Sequence, residues 1–175
     1  MIRYFKAILI LISTIIIFTL IVAIFMPDKY YIERSIVIDK PVDSVFSLVS
    51  DLNNYVKWDP WSNQEINKNI KFYGKENTQS YEWDGDTIGK GKLEITNIEF
   101  NKRIVYKLTL FEPWENIAFN EILVDRINGK TQVIWKMYGN LSYPFGRFMK
   151  NKLENMIAKD FDKGLYNLKK IAENY

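Results

Sequence analysis

A chain of 175 residues with neither cysteine nor histidine has no disulfides, no thiolate chemistry, no Ser-His-Asp or Cys-His catalysis and no His- or Cys-based zinc site. Any proton transfer near neutral pH falls to carboxylates, Tyr, Lys or bound water. The 24 basic and 21 acidic residues leave +3; setting aside Arg3 and Lys6 leaves 22 against 21, or +1, which offers no electrostatic footprint for nucleic acid.

Ala7 to Met26 carries no charge, proline or glycine. As a helix it would be about 30 Å long, the thickness of a bilayer's hydrocarbon core. The hydroxyls of Ser13, Thr14 and Thr19 can bond back to carbonyls one turn earlier. A helix apolar on every side needs a large core or lipid around it, and the 148 residues from Asp28 on are too few to wrap it. A cleaved signal peptide is the competing reading. The run exceeds a typical secretory h-region, and the exit Ala23-Ile24-Phe25-Met26-Pro27-Asp28 lacks a small-residue cleavage site. The expectation is therefore a tail and transmembrane anchor over 1–27 and one domain over 28–175. Arg3 and Lys6 precede the span, whereas Asp28, Lys29, Glu33 and Arg34 cancel after it, so the positive-inside rule places the domain outside the cytoplasm. Abundant Ile, Lys and Asn point to an AT-rich bacterial genome.

Pro27 ends the apolar run. Tyr30 to Asp39, β-branched and partly alternating, predicts a strand. Pro41 suits a helix's first turn, and Val42, Val45, Phe46, Val49 and Leu52 recur at helical spacing. Asn53-Asn54-Tyr55 follows, and then Trp58-Asp59-Pro60-Trp61, which reads as an aromatic turn. Six antiparallel strands are expected near 67–75, 79–85, 90–100, 103–112, 115–126 and 130–140, punctuated by turn formers. Asn128-Gly129 is the strongest hairpin signal among them. From Phe145 to the end, Phe148, Met149, Leu153, Met156, Ile157, Phe161, Leu165, Leu168 and Ala172 predict one amphipathic helix of about 26 residues. Gly164 inside it costs roughly 1 kcal/mol relative to Ala, which points to a close approach or a bend there.

This order resembles the START-like superfamily and, within it, the polyketide cyclase/dehydrase and lipid-transport branch of the SRPBCC family. The residues that carry the resemblance are Pro41-Val42-Asp43-Ser44-Val45-Phe46, Asp51-Leu52, Trp58-Asp59-Pro60-Trp61, Tyr81-Glu82-Trp83-Asp84-Gly85 and Gly89-Lys90-Gly91. Gly129-Lys130-Thr131 with Trp135 and the stretch Phe161 to Leu168 complete it. The resemblance spans about residues 30–173. It implies an α+β helix-grip fold, a curved antiparallel sheet wrapped around the long C-terminal helix, with an apolar cavity between them for lipids, sterols, polyketides or similar molecules. It brings no shared catalytic residue and no cofactor. Some members are enzymes and others only bind, so fold alone does not settle the activity.

The ligand-binding candidates are Trp58, Trp61, Tyr81, Trp83, Phe119, Glu121, Trp135 and Met137. Alternation places Tyr81 with Trp83 on one face, Phe119 with Glu121 and Leu123, and Val133 with Trp135 and Met137. Each aromatic admits two readings, cavity lining or core filling. Glu121 falls on the face assigned inward, where a carboxylate needs a partner or a raised pKa; a bulge would turn it to solvent on the convex side. Lys107 and Lys136 read as surface residues. Asp59 can cap its turn or guard a cavity mouth. Trp58 to Trp61 can gate the pocket, touch lipid or pack under the short helix. Phe145, Phe148 and Met149 can form an entrance, and Arg147 and Lys150 can meet headgroups. The expected partners are a hydrophobic small molecule or lipid, and the membrane through residues 7–26. An acid–base enzyme using Glu121, Tyr81 or Tyr106, and a non-catalytic interaction module, are the alternatives.

Overall fold

The computed structural model describes residues 2–62, 64–65, 68–74 and 79–174. In chain order the elements are α1 (Ile2–Phe25), β1 (Lys29–Ile38), α2 (Val42–Ser50), α3 (Leu52–Trp58), β2 (Asn69–Tyr73), β3 (Ser80–Gly85), β4 (Gly89–Glu99), β5 (Arg103–Glu112), β6 (Asn116–Ile127), β7 (Lys130–Asn140), α4 (Phe145–Phe148) and α5 (Lys150–Asn174). Asn67 and Lys75, the ends of the second expected strand, lie outside the described residues.

The strands form one sheet in the order β1-β7-β6-β5-β4-β3-β2, every neighbouring pair antiparallel. After β1, each strand therefore pairs with the next along the chain. Asn128 and Gly129 close the β6–β7 hairpin with φ of 50° and 81°, the doubly positive turn that matches the twist of paired strands. Register shifts at Lys90/Gly91 and Ile95/Asn97 in β4 are irregularities of the kind that bend a strand. The helix α5 crosses the inner face, tied to β1 at two places and to the residue after it at a third. Glu154 accepts the Tyr31 N–H at 3.2 Å, Lys169 donates to the Val37 carbonyl at 2.9 Å, and Glu173 accepts the Asp39 N–H at 2.9 Å. This is the helix-grip arrangement.

Two helical expectations change. After α2 the chain makes a second helix, α3, ahead of the expected aromatic turn, in a stretch for which no element was expected. Asp51 caps it by accepting the Asn53 N–H at 2.8 Å, and Leu52, Tyr55 and Trp58 are buried at spacings of three. Burial of that face outweighs the poor helix propensity of the two Asn residues. The C-terminal helix is also not continuous from Phe145. Met149, at φ −88° and ψ 0°, separates the single turn α4 from α5. The α4 segment is bound to α1 instead: Tyr143 donates to the Leu20 carbonyl at 2.9 Å, and Arg147 donates to those of Ala23 at 2.9 Å and Ile24 at 3.3 Å.

The helix α1 is long and apolar enough to cross a membrane, and nearly all of its side chains are exposed. Thr14 and Thr19 return their hydroxyls to the carbonyls of Ile10 and Ile15, each at 2.8 Å.

Candidate functional site

The inner face of the sheet and α5 meet in two different ways. At one end they mesh. Trp135 stacks on Phe161 with ring centroids 3.9 Å apart and planes at 6°, and Trp58 lies edge-on to Trp135 at 5.1 Å. A Cβ on Gly164 would come within 2.7 Å of the Trp135 ring and 3.0 Å of Pro60, so this glycine marks a close approach. At the other end the two elements stand apart and enclose a cavity of about 320 Å³.

Alternate residues of the strands build the cavity floor: Tyr81 and Trp83 from β3, Leu93 from β4, Leu108 and Leu110 from β5, Asn120 from β6 and Met137 from β7. Leu153, Met156 and Ile157 of α5 roof it. Tyr55 of α3 and the following loop, with Asp59, Trp61, Ser62, Gln64 and Lys68, form a side wall; Thr87 and Ile88 complete the rim. That loop is tied down at both ends. Trp61 donates its indole N–H to Asp160 at 3.2 Å. Glu65 accepts the backbone N–H groups of Asp86, Thr87 and Ile88 at 2.9, 3.0 and 3.2 Å.

Of the eight candidates, Trp61, Tyr81, Trp83 and Met137 line the cavity. Trp58 and Trp135 are fully buried in the meshed end beside it, and Trp58 donates its N–H to the Leu48 carbonyl at 3.1 Å. The inward assignment of Phe119 and Glu121 is corrected. In β6 the buried set is Ala118, Asn120, Ile122 and Val124, so Phe119 and Glu121 point to the outer face. There Phe119 stacks on Tyr138 at 5.8 Å, and Glu121 pairs with Arg103, which also reaches Glu99 at 3.2 Å. Both alternations of β6 hold apolar residues, and the pairing register decides between them: Asn120 sits opposite Tyr106 on one side and Met137 on the other.

The polar groups facing the cavity are few. Asp59 is 1% exposed. One of its oxygens accepts the N–H groups of Trp61 and Ser62, both at 2.9 Å, which caps the turn. Its other oxygen, Oδ2, has no hydrogen-bond partner among the described residues, and neither has Oδ1 of Asn120, also 1% exposed. Burial pushes the Asp59 carboxyl up, against the opposing pull of Ser62, Trp61 and the Lys68 charge. The phenols of Tyr55 and Tyr81 lie well above 10, first through burial and then through the charge of Asp59. Burial raises Tyr106 too, whose hydroxyl is committed to the Val49 carbonyl. Asn120 was missed because a lone Asn in a strand carries no periodic signal. Among the described residues no three acidic groups stand together as a metal cage.

Residues 31–173 match the family model for polyketide cyclase/dehydrase and lipid transport. The chain belongs to this family. No curated protein matches it by sequence. Among solved structures, this family member is similar to the Zhui aromatase/cyclase from Streptomyces sp. R1128 at a TM-score of 0.64 and 12% identity, over 83% of this chain and 94% of that one. A Thermobifida fusca protein matches at 0.61 and 20% identity, over 82% and 93% of the two chains. An uncharacterized Rhizobium leguminosarum protein matches at 0.61 and 15% identity, over 85% and 97%. At such identities these neighbours speak for the fold alone.

Proposed function

We propose that residues 1–27 anchor this family member in a membrane and that the domain over 28–175 holds one small hydrophobic molecule in its cavity without transforming it. The observation that carries the reading is the 320 Å³ space walled mainly by Leu, Met, Ile and aromatic side chains. That volume lies at the lower end of small-molecule pockets, enough for one compact apolar body or a single chain. Burial of ligand surface at about 25 cal/mol per Å² is the driving force.

The position of the cavity supports a source in lipid. Pairing of Lys29 with Asn140, Ala118 with Gly139, Asn116 with Leu110 and Lys90 with Glu112 sets the chain's exit from α1 and the β3–β4 and β5–β6 turns along one edge of the sheet. Ile88 and Leu110 of the cavity lie on this edge. So do Trp114, 81% exposed, and Phe111, while Phe145, 77% exposed, sits on α4 against the end of α1. Exposed aromatics beside a membrane span suit the lipid–water interface, and Arg147 completes the unbonded carbonyls at the helix end there.

The acid–base alternative loses Glu121, which lies on the opposite face of the sheet from the cavity. It would rest on Asp59, flanked by phenols held too high to exchange protons near neutrality. Purification of the full chain in detergent, followed by native mass spectrometry, tests the binding reading: one apolar molecule per chain is expected. A chain that emerges empty, and takes up no apolar probe afterwards, overturns it. The cysteine-free sequence gives a clean orientation test. With the domain outside the cytoplasm, Lys170→Cys reacts with a membrane-impermeant maleimide on intact cells; protection until lysis would reverse the topology.

A further inference from the structure

We propose that the cavity selects a ligand carrying a hydroxyl group on its apolar body, bound at that hydroxyl by Asp59 and Asn120. This rests on the cavity-binding reading above and narrows it to a ligand class.

Both residues are more polar than the fold asks of them. Asn120 lies in mid-strand between inward Ala118 and Ile122, where an aliphatic residue would continue the core without a desolvation cost. An unpaired buried amide oxygen is expensive, and here Oδ1 has no partner among the described residues while the residue lines an otherwise greasy space. Asp59 makes the same point independently. Its turn-capping work uses Oδ1 alone, a role that a single side-chain oxygen fulfils. The second carboxylate oxygen is buried and unpaired among the described residues, and Asp59 is part of the cavity lining. The two side chains line one cavity together with Tyr55 and Tyr81, and the Tyr55 ring packs at 5.4 Å on Tyr106, the cross-strand partner of Asn120.

Chemistry then chooses among ligand heads. A hydrocarbon leaves both oxygens unpaired. A carboxylate meets the like charge of Asp59. An ammonium group meets Lys68, which lines the cavity and acts on Asp59. A hydroxyl donates one hydrogen and accepts through the same atom, so it donates to an ionised Asp59 while accepting from the Asn120 Nδ2–H, or accepts from a protonated Asp59 while donating to the Asn120 Oδ1.

The test uses the full chain in lipid nanodiscs with ¹³C-methyl methionine, following the Met137 methyl, which lines the cavity. The probes are 2-naphthol, naphthalene and 2-naphthoate, each corrected for partition into empty nanodiscs. The expected result is tighter binding of 2-naphthol than of naphthalene by roughly ten- to a hundredfold, with 2-naphthoate excluded. Asn120→Leu is expected to erase most of that preference while naphthalene still binds, and Asp59→Asn to admit 2-naphthoate. Equal affinities for 2-naphthol and naphthalene in the unsubstituted protein overturn the hydroxyl assignment and leave the cavity reading standing. A Met137 methyl that no probe moves overturns both.

Discussion

One helix serves two ends of the molecule under opposite rules. From Phe161 to Ala172, α5 is seated against Trp135, Trp58 and the sheet, so closely that position 164 has no room for a Cβ. From Leu153 to Ile157 the same helix faces open space, and Met156 is 55% exposed. The apolar stripe along α5 runs through both stretches without a break. The difference lies in the partner surface: large rings fill the gap at one end, while Leu93, Leu108 and Met137 stop short of α5 at the other. The packed end holds the cavity's shape, because a hollow is stable only where its surroundings are rigid.

The contrast predicts unequal responses to substitution. Trp135→Ala removes a fully buried ring from the packed end and should cost about 3–5 kcal/mol, read as a shift of the denaturation midpoint. A cost near 1 kcal/mol would mean that the two ends are equally loose. Next in size is a matched pair of enlargements. Ala158→Leu, at a buried helix position, should cost about 1–3 kcal/mol by overpacking. Leu108→Phe should leave stability unchanged or raise it by up to about 2 kcal/mol, and should expel the ligand seen by native mass spectrometry. If Leu108→Phe destabilises as much as Ala158→Leu, the hollow is not real.

Acid titration should separate by sign two carboxylates of the loop after α3, Asp59 at the cavity and Glu65, which ties the loop to the β3–β4 turn. Asp59 has a folded-state pKa above its unfolded value of about 3.9, so the folded state holds the extra proton. Its contribution therefore weakens stability as pH rises from about 4 through the raised pKa. Asp59→Asn should raise the melting temperature at pH 7, and the gain should vanish near pH 3. Glu65 runs the other way. Desolvation pushes it up, but three backbone N–H groups and Lys68 outweigh this and hold it below its usual value. Its stabilisation is present at neutral pH and lost as pH falls below about 4.3. Glu65→Gln should thus lower stability slightly at pH 7 and not at pH 3, the smallest of these effects because the carboxylate is exposed to solvent. A melting profile with the same sign for both would refute the assignment.

Much of the architecture was legible before folding. The turn formers bounded the strands to within a few residues, and Asn128-Gly129 adopted the two positive φ angles that its residue types tolerate. Gly164 announced a close approach because a glycine at that cost in a helix needs a reason. Four of the eight candidate residues reached the cavity. The failures share a cause. Helix α3 formed because Tyr55 and Trp58 had a core to enter, which the Asn-Asn pair does not advertise. Met149 split the C-terminal helix where α4 binds α1 rather than the sheet. Phe119 and Glu121 faced outward because cross-strand register, not the composition of β6, chose the buried alternation.

The chain's own pattern of apolar residues, prolines and glycines set what could be decided locally: one span of membrane length, a meander of strands and a greasy terminal helix, since periodicity and turn chemistry act over a few residues. Which face of β6 is inside, where α5 touches the sheet, and that Asp59 and Asn120 border one hollow are outcomes of contacts between residues as far apart as 134 positions along the chain. Such contacts exist only once the sheet has curved around its helix.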